Sequence, residues 1–148
     1  MERDGVMDDR AMPASGGPGD DELAIRNLIH RAALLNDGGV LDDYLDCWTD
    51  DMVWERAGAE RQDRSAFRAA VSSRRKDGRS GPGSGGCHLV MNLVVAFDTA
   101  TAATADFYMV FLSGTGAAPS VQSVDRNRDL LRKTPGGWRI AHRSIGVR

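Results

Sequence analysis

Apolar residues in this chain recur at helical spacing up to residue 71 and in long strand-like runs from residue 87 onward. That change of period limits the fold more than any other feature. Ala24, Ile25, Leu28, Ile29, Ala32 and Leu35 stand three and four residues apart, which predicts an amphipathic helix. Asp20, Asp21 and Glu22 suit its N-terminus by capping and by the helix dipole. The run Asn36-Asp37-Gly38-Gly39 ends it, with glycine available for a left-handed turn. A second, short helix carries Leu41, Tyr44, Leu45 and Trp48, and so short a connection makes the two helices neighbours. Residues 52–55 read as a short strand, and Asp63 or Ser65 caps a third helix through Phe67, Ala70 and Val71. Segments 87–97, 104–112, 121–132 and 138–147 are rich in Val, Phe, Tyr, Ile and Thr, and turn residues separate them. They read as a meander of antiparallel strands. Helices first and strands afterwards define an α+β fold rather than a βαβ repeat.

Length and charge bound the remaining choices. A chain of 148 residues fits one domain with a real core. Residues 1–19, with five glycines or prolines between Pro13 and Gly19, read as a disordered tail, and the domain is expected over 20–148. Lys+Arg 19 against Asp+Glu 21 gives a net charge of -2, which argues against a nucleic-acid partner. No run approaches the roughly 18 apolar residues of a membrane span, and the acidic start MERDGVMDD does not read as a secretory signal. Cys47 and Cys87 form neither a CxxC pair nor a zinc-type set, so both are expected as free thiols in a cytoplasmic protein. Residues 72–86 read as a loop, in which Arg74, Arg75, Lys76 and Arg79 form a solvated helix end or a contact for phosphate or carboxylate.

The strand text HLVMNLVVAF is apolar on both alternating faces. Such a sheet needs cover on both sides, and the helices supply only one. A second copy of the chain packed through the sheet is expected to supply the other.

Polar residues on apolar elements are the candidates for chemistry. By strict alternation His88 and Asn92 share a face with Val90 and Val94. If that face is internal, a proton-transfer group and an amide enter an apolar interior; the other reading is a structural histidine at a strand end. Asp37 is a turn residue when taken alone, and an orienting partner if it meets a histidine. His30 reads as a helix flank, and the face of His142 depends on register. Asp106 and Tyr108 share a face of one strand. Arg143 suits either an anionic ligand group or an ion pair with Glu55 or Asp106, and Trp48, Trp54 and Trp138 suit core or pocket wall. The three histidines lie far apart without an HExxH pattern, so a metal site is not expected. Walker-type and GxSxG patterns are absent from the sequence, and Gly83-Ser84-Gly85-Gly86 reads only as a flexible run.

The segments HRAALLNDGGVLDDYLDCWTDDMVWE, HLVMNLVVAFDTATAATADFYMV and DRNRDLLRKTPGGWRIAHR, in this order and spacing, resemble the SnoaL-like branch of the nuclear transport factor 2-like superfamily. The resemblance covers residues 20 to the end. It implies a cone-shaped α+β barrel, with three N-terminal helices packed in a strongly bent, mostly antiparallel sheet around a deep apolar pocket, commonly as a homodimer. It also implies acid–base chemistry without a cofactor, as in the family's dehydratases, isomerases and polyketide cyclases, on a small apolar cyclic oxygenated molecule. Asp37 and His88 match the family's catalytic positions, and Asn92 and Arg143 match its pocket positions. The family's helix tyrosine falls on Ala32 and its third-strand tyrosine on Asn127, so Tyr44 or Tyr108 would have to supply a phenol, beside Trp54 as pocket wall.

Overall fold

The computed structural model describes residues 17–147. The expected tail therefore lies almost wholly outside the described residues. Its last two residues do not belong to it, because α1 spans Pro18–Gly38 with Pro18 in the first turn. Helix α2 (Leu41–Leu45) follows, then β1 (Trp48–Arg56), β2 (Glu60–Gln62), α3 (Arg64–Lys76), β3 (Cys87–Thr99), β4 (Ala102–Ser113), β5 (Ser120–Thr134) and β6 (Gly137–Ile145). Trp48 opens β1 instead of closing α2, and β2 is a strand too short to leave a sequence signal. Among the described residues no helix is long and apolar enough to cross a membrane.

The six strands form one sheet in the order β2-β1-β6-β5-β4-β3. All neighbours are antiparallel except β1 and β6, which run parallel. The sheet is not closed: β2 and β3 are its edges. It is nevertheless curved, since α1 packs against both β3 and β6, which are three strand spacings apart. At about 4.8 Å per spacing, a helix about 10 Å wide meets both strands only if the sheet bends around it. Register shifts in the β3–β4, β4–β5 and β5–β6 pairings supply that bending.

The concave side holds the core. Ile25, Ile29 and Ala32 of α1 meet Phe67 and Val71 of α3, Trp48 and Met52 of β1, and Ala103, Ala105 and Phe107 of β4, all nearly or fully buried. Helix ends depart from the expected chemistry. Gly17 caps α1 without a side chain, and Asp21 instead accepts hydrogen bonds from Trp138 Nε1 and Lys133 Nζ, both at 3.0 Å. Gly39 ends α1 in an extended conformation, φ -94°, rather than a left-handed one. What excludes a side chain there is space, because a Cβ would sit 2.5 Å from Leu35 Cδ2 and 2.9 Å from Leu35 Cα. Asp63 does cap α3, accepting from the Ala66 backbone N–H at 2.9 Å.

Candidate active site

The site grows from rows of residues that face the concave side across the sheet. His88, Phe111 and Ser123 stand in register across β3, β4 and β5, followed by Val90, Met109 and Asp125. Deeper lie Phe107, Asn127 and Ile145, then Ala105, Asp129 and Arg143, across β4, β5 and β6. Together with Tyr44, Trp54 and Phe67, these rows, apart from Val90, Phe107, Ala105 and Asp129, line a cavity of about 450 Å³, within the usual range for small-molecule sites.

Two bulges decide which residues reach it. Met91 pairs with Tyr108 and Val94 with Asp106, so β3 carries one residue more than β4 between those pairs. Asn92 takes up the extra residue with φ 55°, a left-handed conformation that asparagine tolerates. Alternation restarts beyond it: Leu93 and Val95 pack on the core, while Val94 is 63% exposed. Asn92 is therefore exposed and does not line the cavity, contrary to the strict alternation expected for His88-Asn92. Arg26 of α1 donates to the Leu93 carbonyl at 3.0 Å, tying the helix to this irregular point. In β6, Leu130 pairs with His142 and Leu131 with Ile140, so Ala141 is the extra residue. Trp138 and Ile140 face inward before it, and Arg143 and Ile145 after it. His142 is turned away from the cavity, with Nε2 3.0 Å from a Glu55 oxygen.

Asp37 and His88, 51 residues apart, are brought into contact. The carboxylate accepts twice from one residue: Oδ2 from the His88 backbone N–H at 2.8 Å, and Oδ1 at 2.5 Å from Nδ1 of the ring. A carboxylate on Nδ1 selects the tautomer with the proton there. Nε2 is left as the acceptor, and it bonds none of the described residues. The imidazole stacks on Phe111 with centroids 4.6 Å apart. Asp37 rides on the last turn of α1, where unpaired carbonyls and the negative dipole end gather and no basic residue of α1 lies. Arg75 of α3 supplies the missing cation. It donates to the carbonyls of Leu35, Asn36 and Gly39 at 3.0, 3.2 and 2.8 Å. Part of the basic cluster thus caps the helix that carries Asp37, where a solvated helix end was one expectation. The following loop lies over Arg75: a Cβ on Gly81, φ +86°, would come within 2.6 Å of its side chain. Gly85 O accepts from both the N–H and the hydroxyl of Thr115, which ties the loop to the β4–β5 turn.

Arg143 meets neither Glu55 nor Asp106. Its Nε and Nη2 donate to the two oxygens of Asp129, both at 2.7 Å, in a fork-to-fork pair that is 5% and 0% exposed. The guanidinium also lies over Trp48 at 5.0 Å and Phe107 at 5.3 Å. Burial works against its charge, but the contact with Asp129 prevails and raises its pKa. Asp129 was missed in the sequence because DRNRDLLRKT reads as a solvated strand; the available signal was the alternation of Asn127, Asp129 and Leu131, all buried. Nη1 of Arg143 bonds none of the described residues, in a side chain that lines the cavity.

Of the remaining candidates, Tyr44 and Trp54 line the cavity. Burial pushes the Tyr44 phenol up to about 12. Tyr108 does not line it: it is 43% exposed on the convex side, beside the Asp106–Arg128 pair. Ala32, at the family's helix-tyrosine position, is fully buried in the core. Cys47 is a buried free thiol whose pKa burial raises, and Cys87 is half-buried and free. Among the described residues no group of three His, Cys, Asp or Glu side chains gathers as metal ligands would.

A curved sheet holding helices and a lined cavity on its concave side defines an α+β pocket protein of the cystatin-like, nuclear transport factor 2-like type. The SnoaL-like domain model matches residues 19–144, and the chain belongs to that family. Among solved structures it is similar to a nuclear transport factor 2-like protein with a cystatin-like fold from Novosphingobium aromaticivorans. That match is 25% identical with TM-score 0.73, covering 85% of this chain and 80% of the other. It is also similar to an Rv3472 variant of unknown function from Mycobacterium tuberculosis, at 27% identity and TM-score 0.67, covering 87% and 75%. A third similar structure, from N. aromaticivorans and provisionally named a scytalone dehydratase, is 15% identical with TM-score 0.70 and covers 86% of each chain. No curated protein matches the sequence.

Proposed function

We propose that the chain is a cofactor-independent acid–base enzyme, a dehydratase, isomerase or cyclase, acting on a small cyclic oxygenated metabolite in this cavity. The observation that carries the reading is the Asp37–His88 contact, which leaves Nε2 of a cavity-lining imidazole as a base. Nε2 takes a proton from the carbon next to a ligand carbonyl, and the imidazolium so formed is held by the adjacent carboxylate. The developing oxyanion is met by the unengaged Nη1 of Arg143 or the Tyr44 hydroxyl. His88 then returns the proton, to a leaving hydroxyl in a dehydration or to another carbon in an isomerisation. The structural relative named a scytalone dehydratase supports the first outcome.

The test needs no knowledge of the natural substrate. Exchange of the α-protons of 2-tetralone in D2O, followed by NMR, reports proton abstraction next to a carbonyl. The wild-type chain is expected to exchange them above the buffer rate, and His88→Ala to fall by about 10²–10⁴-fold toward that rate. Equal exchange by both proteins would refute the reading and leave a non-catalytic small-molecule binder of the same fold.

A homodimer packed through the sheet belongs to the same proposal. On the convex side Leu89, Val110 and Val124 form one in-register row across β3, β4 and β5, and Val124 is 60% exposed. Met91 and Val94 continue the apolar surface, at 48% and 63% exposure. Light scattering at micromolar concentration is expected to give twice the chain mass, and Val124→Asp to give the chain mass.

A further inference from the structure

We propose that the ligand of this cavity carries a carboxylate, and that Arg74 binds it at the end of the cavity where α3 passes into the loop, with the Ser80 hydroxyl as a second donor. This rests on the reading of the cavity as a small-molecule site and adds a charge to that molecule. It also gives a function to a basic residue that the fold leaves unused.

Arg74 is half-buried and lines the cavity. Among the described residues its side chain makes neither a hydrogen bond nor an ion pair. Every other charged group at this end has a partner. Arg56 meets Asp125 at 3.3 Å, Arg79 meets Asp77 at 3.2 Å, and Glu60 accepts from Gln62 at 3.0 Å. A guanidinium partly withdrawn from water without an anion is unfavourable, and burial accordingly lowers the pKa of Arg74. Ser80 is adjacent in the fold, since the Arg79 backbone N–H donates to the Arg74 carbonyl at 3.0 Å. Ser80 is 7% exposed and lines the cavity, and its Oγ has no hydrogen-bond partner. Buried hydroxyls are rarely left so in folded proteins.

Among the described residues Arg74 is the cavity-lining cation without an ion pair, and Glu60, bonded only to the neutral Gln62, is the carboxylate without one. A planar carboxylate bears one negative charge and accepts two parallel N–H donors from such a fork. A phosphate dianion would need a second free cation, and Arg56 and Arg79 are already committed to carboxylates of the chain. The remaining wall is mixed: Trp54, Phe67, Met109, Phe111 and Ile145 give it an aromatic and apolar side, beside polar residues such as Asn36, Ser123 and Asn127. The ligand chemistry is therefore that of an aromatic or alicyclic carboxylic acid, with its ring against this wall and its carboxylate toward Arg74.

The probes are 2-naphthoate and the neutral isostere 2-naphthamide, titrated calorimetrically into the full chain. Wild-type protein is expected to bind the acid at least about tenfold more tightly, a difference of about 1.4 kcal/mol. Arg74→Gln is expected to remove the preference and Arg74→Lys to keep part of it. Arg61→Gln, which alters an exposed pair with Glu55 outside the cavity, is expected to keep all of it. Thermal melts accompany each variant to show that it is folded. Equal affinity of wild type for the two probes, a preference that survives Arg74→Gln, or no binding of either probe would each overturn the proposal. The 2-tetralone exchange of wild type is read separately, because that ketone has no carboxylate. Exchange without a naphthoate preference removes the carboxylate alone, and a preference without exchange removes the acid–base reading alone.

Discussion

Two carboxylates, Asp37 and Asp129, each grip one basic residue with both oxygens, yet the geometry gives the grips different ends. Asp129 spends both oxygens on the fork of Arg143, opposite it on the neighbouring strand, and the pair is almost sealed from solvent. The pair holds β5 to β6 and fixes a guanidinium under the cavity. Asp37 gives one oxygen to the His88 backbone and the other to its ring, with the two side chains 17% and 18% exposed. One member of that pair is an imidazole, and its second nitrogen bonds none of the described residues. A carboxylate clamped to a permanent cation builds a floor; one clamped to an imidazole leaves a proton to move.

The contrast can be broken most strongly at the floor. Asp129→Ala leaves a buried guanidinium without its anion and is expected to lower stability by about 3–5 kcal/mol in denaturant unfolding. Asp37→Asn is expected to do the opposite: proton exchange from 2-tetralone falls by about 10²-fold or more, while the unfolding midpoint changes little. If Asp37→Asn unfolds the protein as Asp129→Ala does, the two grips do not differ in kind. Tyr44 sharpens the comparison through pH. Its phenol is raised to about 12 when folded, above the unfolded value, so its contribution is fully present below about pH 10 and is lost as pH rises toward 12. Tyr44→Phe is expected to flatten the fall in stability over that window. The smallest effect belongs to a third bidentate pair, Arg128 with Asp106 at 2.9 and 3.1 Å on the exposed convex side. Arg128→Ala is expected to change stability by no more than about 1 kcal/mol, less in high salt.

The α+β order was legible because helical periods dominate before residue 76 and strand periods take over from residue 87, and Asp63 was one of the two caps read for α3. Asp37 and His88 stood out singly as polar residues, but only the family resemblance put them in one site, since no local pattern links residues 51 apart. Asn92 and Tyr108 were assigned to the cavity by alternation and by residue type. A bulge carries the first outward, and the second sits on the face that Asp106 also occupies. Asp129 and Ser80 were not legible, because a short polar side chain reads as solvated until its strand or loop is seen against the core. The expected barrel is an open, curved sheet with a parallel β1–β6 contact, which no local pattern announces.

The bulge at Ala141 gives β6 something like a reading frame. Deleting that residue together with the bulge would leave both faces as they are, whereas keeping it and flattening the bulge would bring His142 to the side Arg143 now occupies and send the guanidinium outward. The cavity floor would exchange a fixed cation for a titratable ring without any substitution. In a fold whose strands carry such frames, a one-residue change of register can rewrite the chemistry of a pocket more completely than several point changes. Sequences aligned without gaps at such points will assign equivalent roles to side chains that face opposite ways.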